Sequence, residues 1–208
     1  MARAKAIALA PEANDVNYIS TTESITSPWT LQLDGVTTLS TPQHVTVTTT
    51  SNETGETFTI VGTDRYGNSM TEALAGPNAT VVAGTKNFAT ITSITGTADA
   101  TGVTAGVNGL CESQWYVLNY RGSQFNVGFG VDISSSANLT YAAQATYEDM
   151  HSTGSGESDV TAYTHPTVTG ETTAVSGVYT SPPWAMRVAI TAHTAGSVTL
   201  RVLQSGGA

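Results

Sequence analysis

The sequence predicts an all-β protein: two small antiparallel β-sandwich units, the second jelly-roll-like, behind an extended N-terminal arm. Three observations carry this expectation. Apolar and polar residues alternate at period two through Val45-Thr46-Val47-Thr48-Thr49, Phe58-Thr59-Ile60, Phe125-Asn126-Val127-Gly128-Phe129-Gly130-Val131, Leu139-Thr140-Tyr141 and Val198-Thr199-Leu200-Arg201-Val202. That is the spacing at which a strand sends side chains to opposite faces. Threonine makes up about one residue in six, and its branched, polar side chain suits the wet face of a sheet. Turn residues recur about every 8–12 positions, as in a β-sandwich, and no helix of useful length is evident.

Residues 1–20 stand apart. Met1-Ala2-Arg3-Ala4-Lys5-Ala6-Ile7-Ala8-Leu9-Ala10 is apolar with two cations, and Pro11 and Asn14-Asp15 end any helix early. The segment is expected to be either a frayed terminus or an arm lying on a neighbouring subunit. Residues 21–109 form the first unit. Trp29-Thr30-Leu31-Gln32-Leu33 alternates and stops at Asp34-Gly35, a hairpin signal. Pro42 precedes a strand over 44–50, and 52–55 turns into a strand over 56–62. The polar turn 64–68 leads to a strand over 70–74. After Gly76-Pro77-Asn78 come strands over 80–82 and 88–94. Residues 97–109 hold only Gly, Ala, Thr, Asp and a few small neighbours, and the boundary is placed there. The second unit, 110–208, has expected strands over 115–118, 125–133, 139–148, 177–179, 186–191 and 198–203. Residues 151–159 read as an exposed loop.

Composition limits function. Charged residues are 11% of the chain, about half the usual share. A net charge of −9 repels phosphate backbones, so no nucleic-acid partner is expected. Arg65, Lys86 and Arg121 are dispersed and form no basic patch. Cys111 is the lone cysteine, the apolar run at 6–10 is too short for a secretory signal core, and no segment reaches membrane-spanning length. Synthesis in a reducing cytosol and no membrane partner are the expectation.

Little material for chemistry is visible, so no catalytic, cofactor-binding or metal-binding residue is expected. His44, His151, His165 and His193 show no metal-ligand spacing and are read as surface or turn residues, His165 in a loop before Pro166. No Gly-x-Ser-x-Gly elbow occurs, and Gly154-Ser155-Gly156 lies in the loop. Glu148-Asp149 are adjacent at a strand end, so their side chains should diverge, and Glu53 with Glu56, and Asp132, read as turn or solvated-face acids. Asp64 and Asn68 could take a hard cation, but the EF-hand pattern is absent. Gly128 and Gly130 are expected to admit a close neighbour inside a strand. The aromatics serve core and domain-junction packing, or anchor a subunit interface. Candidate interface residues are Arg3, Lys5, Ile7 and Leu9 of the arm, with Trp115, Tyr120 and Trp184.

An ordered set of segments runs along nearly the full length of the chain. The opening Ala2-Arg3-Ala4-Lys5-Ala6-Ile7 leads to Asn14-Asp15. The run Thr57-Phe58-Thr59-Ile60-Val61-Gly62-Thr63-Asp64-Arg65-Tyr66-Gly67-Asn68 is followed by Phe88-Ala89-Thr90-Ile91-Thr92-Ser93-Ile94 and Thr104-Ala105-Gly106. Then come 125–131, Thr140-Tyr141, Thr146-Tyr147-Glu148-Asp149, His165-Pro166, Met186-Arg187-Val188 and Gly196-Ser197-Val198-Thr199-Leu200. In this ordered set the chain resembles a family of tailed-bacteriophage virion structural proteins. The resemblance implies a non-enzymatic structural subunit of the virion, made in the host cytoplasm, most simply a capsid decoration (cement) protein. Its partners would be copies of itself and the major capsid protein or other head, neck or tail proteins. A head–tail, collar or fibre-attachment accessory is the alternative in the same class. From another class, exposed Trp and Tyr beside Asn and Asp could make it a binding module for host glycans.

Overall fold

The structure is a computed structural model and describes residues 3–119, 126–150 and 160–204. Its secondary structure is β throughout. The chain divides into two compact units: Pro11–Cys111, and a unit discontinuous in sequence, Met1–Ala10 with Glu112–Ala208. The first strand, β1 (Arg3–Leu9), belongs to the discontinuous unit. The continuous unit follows with β2 (Asp15–Ile25), β3 (Trp29–Thr30), β4 (Thr38–Gln43), β5 (Val45–Thr48), β6 (Thr57–Thr63), β7 (Ser69–Ala75), β8 (Val81–Ala83), β9 (Phe88–Gly96) and β10 (Ala100–Val107). The chain then returns through β11 (Cys111–Glu112), β12 (Tyr116–Val117), β13 (Val127–Ile133), β14 (Asn138–Thr146), β15 (Tyr163–Glu171), β16 (Val175–Tyr179), β17 (Ala185–Ala195) and β18 (Val198–Gln204).

The continuous unit has one sheet in the order β2-β10-β5-β8 and a second in the order β3-β9-β6-β7, with β4 also on β9. The discontinuous unit has β1-β18-β13-β16 and β11-β17-β14-β15, with β12 also on β17. Each of the short pairs β3/β4 and β11/β12 counts as one broken strand. Both units then carry the same winding: first strand paired with last, second with seventh, third with sixth, fourth with fifth. That is a long hairpin folded over itself into two facing sheets, a jelly roll. The jelly-roll character expected of the second unit is present in both, and the continuous one is spliced into the connection after the first strand of the other.

The alternation that marks the sequence sets which side chains meet. Along β6, Phe58, Ile60 and Gly62 are buried while Thr57, Thr59, Val61 and Thr63 face outward. Phe58 and Ile60 join Phe88 and Ile94 of β9, Val45 and Val47 of β5, Ile19 of β2 and Val103 of β10 in one buried cluster fed by both sheets. Each such side chain contributes about 1.5–3 kcal/mol on leaving water. In the discontinuous unit, Val127, Phe129 and Val131 of β13, Val188 and Ile190 of β17, and Leu200 and Val202 of β18 are buried in the same way.

Several expectations change. The N-terminal segment is not an arm. β1 pairs antiparallel with β18 along its whole length, from Arg3 opposite Gln204 to Leu9 opposite Val198, and residues 15–25 form β2 against β10. The stretch expected as a boundary, 97–109, contains β10, the inner strand between β2 and β5, with all but one residue buried. Its small side chains are a packing requirement: a Cβ on Gly106 would collide with the carbonyl oxygen of Asp15. β15 has no counterpart among the expected strands. It lies at the edge of its sheet, where Pro166 and Gly170 are tolerated because one side of the strand has no ladder to break. Finally, added Cβ atoms on Gly128 or Gly130 would meet nothing closer than 3.9 Å. The close approach falls on Gly177 of β16 instead, where a Cβ would stand 2.5 Å from Cζ of Phe129.

Candidate functional site

One end of the discontinuous jelly roll gathers aromatic side chains. The registers Val117–Ala185, Thr146–Ala185, Ala145–Tyr163 and Val127–Tyr179 bring six strand ends together there. This is the end opposite the tight connection at Gly196. Trp115, 5% exposed, packs with Val160, Ala185, Met150, Ala162 and Trp184. The Arg187 guanidinium lies 4.4 Å from the centre of the Trp115 ring, and its Nε donates to Gln144 Oε1 at 2.8 Å. The hydrogen bond fixes the guanidinium plane while the ring's negative face meets the charge. The backbone of Trp184 stitches neighbouring elements: its N–H donates to Thr146 O at 2.8 Å, and Leu118 N–H donates to its carbonyl at 2.9 Å. Its side chain is half-buried.

Of the residues singled out for an interface, Trp115 and Trp184 are thus brought together. Trp115 spends its surface inside its own unit, and Trp184 keeps part of its ring outside. Tyr120 lies outside the described residues. Arg3 stands in the β1 ladder, and Lys5 is exposed on the same strand. Ile7 and Leu9 are 7% and 3% exposed. They are inward positions of β1, packed in their own unit, because alternation that leaves Ala6 and Ala8 in water turns these two side chains the other way.

Sequence reasoning did not single out Tyr163 and did not read Tyr147 as a site residue. Tyr163 opens β15 opposite Ala145, and Tyr147 follows β14 directly, two residues on from Ala145, so both continue one face. Their ring centres are 5.6 Å apart at 67°, an edge-to-face pair, and the side chains stay 55% and 53% exposed. Two residues further along β15 the same face carries His165, which is buried. This corrects the expected surface loop. His165 meets Phe129 and Tyr179 edge-on at 5.1 and 4.9 Å, and those two rings stack at 5.4 Å. Thr167 N–H donates to His165 Nδ1 at 3.3 Å, which leaves Nε2 as the donor to Val178 O at 3.3 Å. Burial, with the Tyr147 charge adding to it, pushes the Tyr179 hydroxyl well above the usual phenol range. The sequence signal for this seam was the pair of tyrosines flanking the polar stretch 151–159, whose expected loop lies outside the described residues.

The acids fall into two groups. Asp132 is exposed and paired with Arg201. Glu53, Glu56 and Glu72 are buried, 8%, 9% and 8% exposed, which corrects the reading of Glu53 and Glu56 as turn or solvated acids. Each accepts backbone N–H groups that would otherwise lack partners. Glu53 Oε1 takes Thr101 N–H at 3.1 Å, and Glu56 Oε2 takes Ala98 N–H at 3.2 Å. Glu72 Oε1 takes Thr85 N–H at 2.7 Å. Burial raises the Glu56 carboxyl, helped by Glu53 and Asp99 nearby. At the turn considered for a cation, Asp64 is already occupied. Its Oδ1 accepts Tyr66 N–H at 2.8 Å and Asn68 N–H at 2.9 Å, and its Oδ2 accepts the Asn68 amide at 2.9 Å. Partial burial opposes ionisation there, but these bonds hold the carboxyl below its usual value. No group of three or more His, Cys, Asp or Glu able to hold a metal occurs among the described residues. Comparison with protein-family models, with characterised proteins and with solved structures found no match.

Proposed function

We propose that the chain is a structural subunit of a bacteriophage particle, made in the host cytoplasm and docked on the virion as a capsid decoration protein. The observation that carries this reading is the make-up of the outward sheet faces. Ser69, Thr71 and Ala73 along β7, and Thr164, Thr167 and Thr169 along β15, are exposed edge-strand positions with short, uncharged side chains. Such a face loses little rotamer freedom when covered. It also has few charges to desolvate, and depletion of charge is what marks the core of an interface. Two jelly rolls in one chain support the reading by analogy of fold, since jelly rolls build viral capsid domains. The ordered resemblance to phage virion proteins supports it from the sequence. Binding would rest on symmetric repetition, in which many modest contacts reinforce one another.

The test is quantitative mass spectrometry of gradient-purified phage particles. Hundreds of copies per particle are expected of a decoration protein. Six or twelve copies would move the chain to the neck or tail, where a head–tail, collar or fibre-attachment ring sits. Absence from the particle would overturn the reading.

A further inference from the structure

We propose that the exposed tyrosine pair Tyr147–Tyr163 is a platform for a neutral sugar ring of a surface glycan. Its two rings, 5.6 Å apart at 67°, keep more than half of their surface in water. Tyrosine presents a flat apolar face and a polar tip, which suits a ligand with an apolar ring face and hydroxyls at its edge. In the edge-to-face arrangement one ring can stack on the sugar while the other borders it. The platform is held from behind. Tyr163 continues along the strand face into His165, and His165 wedges against Phe129 and Tyr179 at 5.1 and 4.9 Å. A surface aromatic on so firm a base loses little freedom on binding, which lowers the entropic cost of the contact.

Polar groups are at hand. Glu148, next to Tyr147, accepts Thr161 N–H at 3.3 Å through Oε2, and Thr161 lies two residues before Tyr163. That bond ties the end of the strand bearing Tyr147 to the segment leading into Tyr163. Charge selects within the glycans: the chain carries −9 overall, and Glu148 directly follows Tyr147. A sialylated or uronic sugar would be repelled, whereas a neutral hexose meets no such cost. The inference does not depend on where in a particle the subunit sits.

The full-length protein is applied to a glycan array carrying neutral and sialylated oligosaccharides, and the strongest neutral member is then titrated in solution. Saturable binding to a neutral oligosaccharide is expected. Tyr147→Ala and Tyr163→Ala should each weaken it by about two- to tenfold, the loss of one aromatic contact. Tyr66→Ala, which removes a tyrosine 58% exposed in the other unit, should leave it unchanged. Tyr147→Phe and Tyr163→Phe retain the rings and guard against a folding defect in the alanine variants; they should keep most of the affinity. No saturable binding by the unaltered protein, preference for sialylated members, or affinity insensitive to both alanine substitutions would overturn the proposal.

Discussion

Glu56 shows how this chain uses its few charges. Its carboxylate sits 9% exposed and accepts Ala98 N–H, with Glu53 and Asp99 as its charged neighbours. Burial raises its folded pKa above the unfolded value of about 4.3. The folded state therefore binds that proton more tightly, so this group favours folding more as pH falls and least at neutral pH. Glu56→Gln keeps an oxygen for Ala98 N–H and removes the buried charge. The variant should be more stable than the parent at pH 7, with the difference shrinking as pH drops towards 4; a difference independent of pH in urea titrations would refute this. Asp34 and Asp64 act with the opposite sign. Thr21 hydroxyl and N–H hold Asp34 low, and Asn68 does so for Asp64 against its partial burial. Their contribution is present above about pH 3.9 and is lost as pH falls through their lower folded values. Glycine gives a second test at this scale. Gly177→Ala drives a Cβ into the Phe129 ring and should cost about 1–3 kcal/mol, the usual penalty of overpacking. Gly130→Ala meets nothing within 4 Å and should be neutral or stabilising by up to about 1 kcal/mol. Equal effects in chemical denaturation would contradict the packing described.

β1 is the element whose role departs most from expectation. Its sequence is alanine-rich and near the terminus, and nothing local distinguishes an arm from an edge strand. The ladder to β18 and the burial of Ile7 and Leu9 make it the closing strand of its sheet. Deleting residues 1–9 uncovers the edge of β18 and removes two side chains whose burial contributes about 3–6 kcal/mol. The discontinuous unit should then unfold at markedly lower denaturant, while the core gathered within Pro11–Cys111 keeps its own transition. Unchanged unfolding of both units would show that β1 carries no stability. β10 teaches the complementary lesson. A run of Gly, Ala and Thr reads as a linker when side-chain size is the only guide, yet an inner strand needs small residues where neighbouring backbones crowd it, as Asp15 does at Gly106.

Across the whole molecule, β class, the alternating faces and most strand positions were legible, because period-two burial is a local property of the chain. The polar turn at 64–68 and the strands around Phe58, Phe88, Phe129 and Leu200 follow from that pattern alone. The candidate site was legible only in part. Trp115 and Trp184 stood out by residue type, but the Tyr147–Tyr163 pair, the buried His165 and the N–H-capping glutamates depend on segments 13 to 48 positions apart meeting in space. By itself the sequence determined an all-β, weakly charged chain with threonine on its wet faces and little equipment for chemistry. Only the tertiary structure decided that it is one jelly roll spliced into another, with its first strand belonging to its last. Strand pairing across such distances is chosen by which edges and apolar faces close together, a competition that no local pattern records.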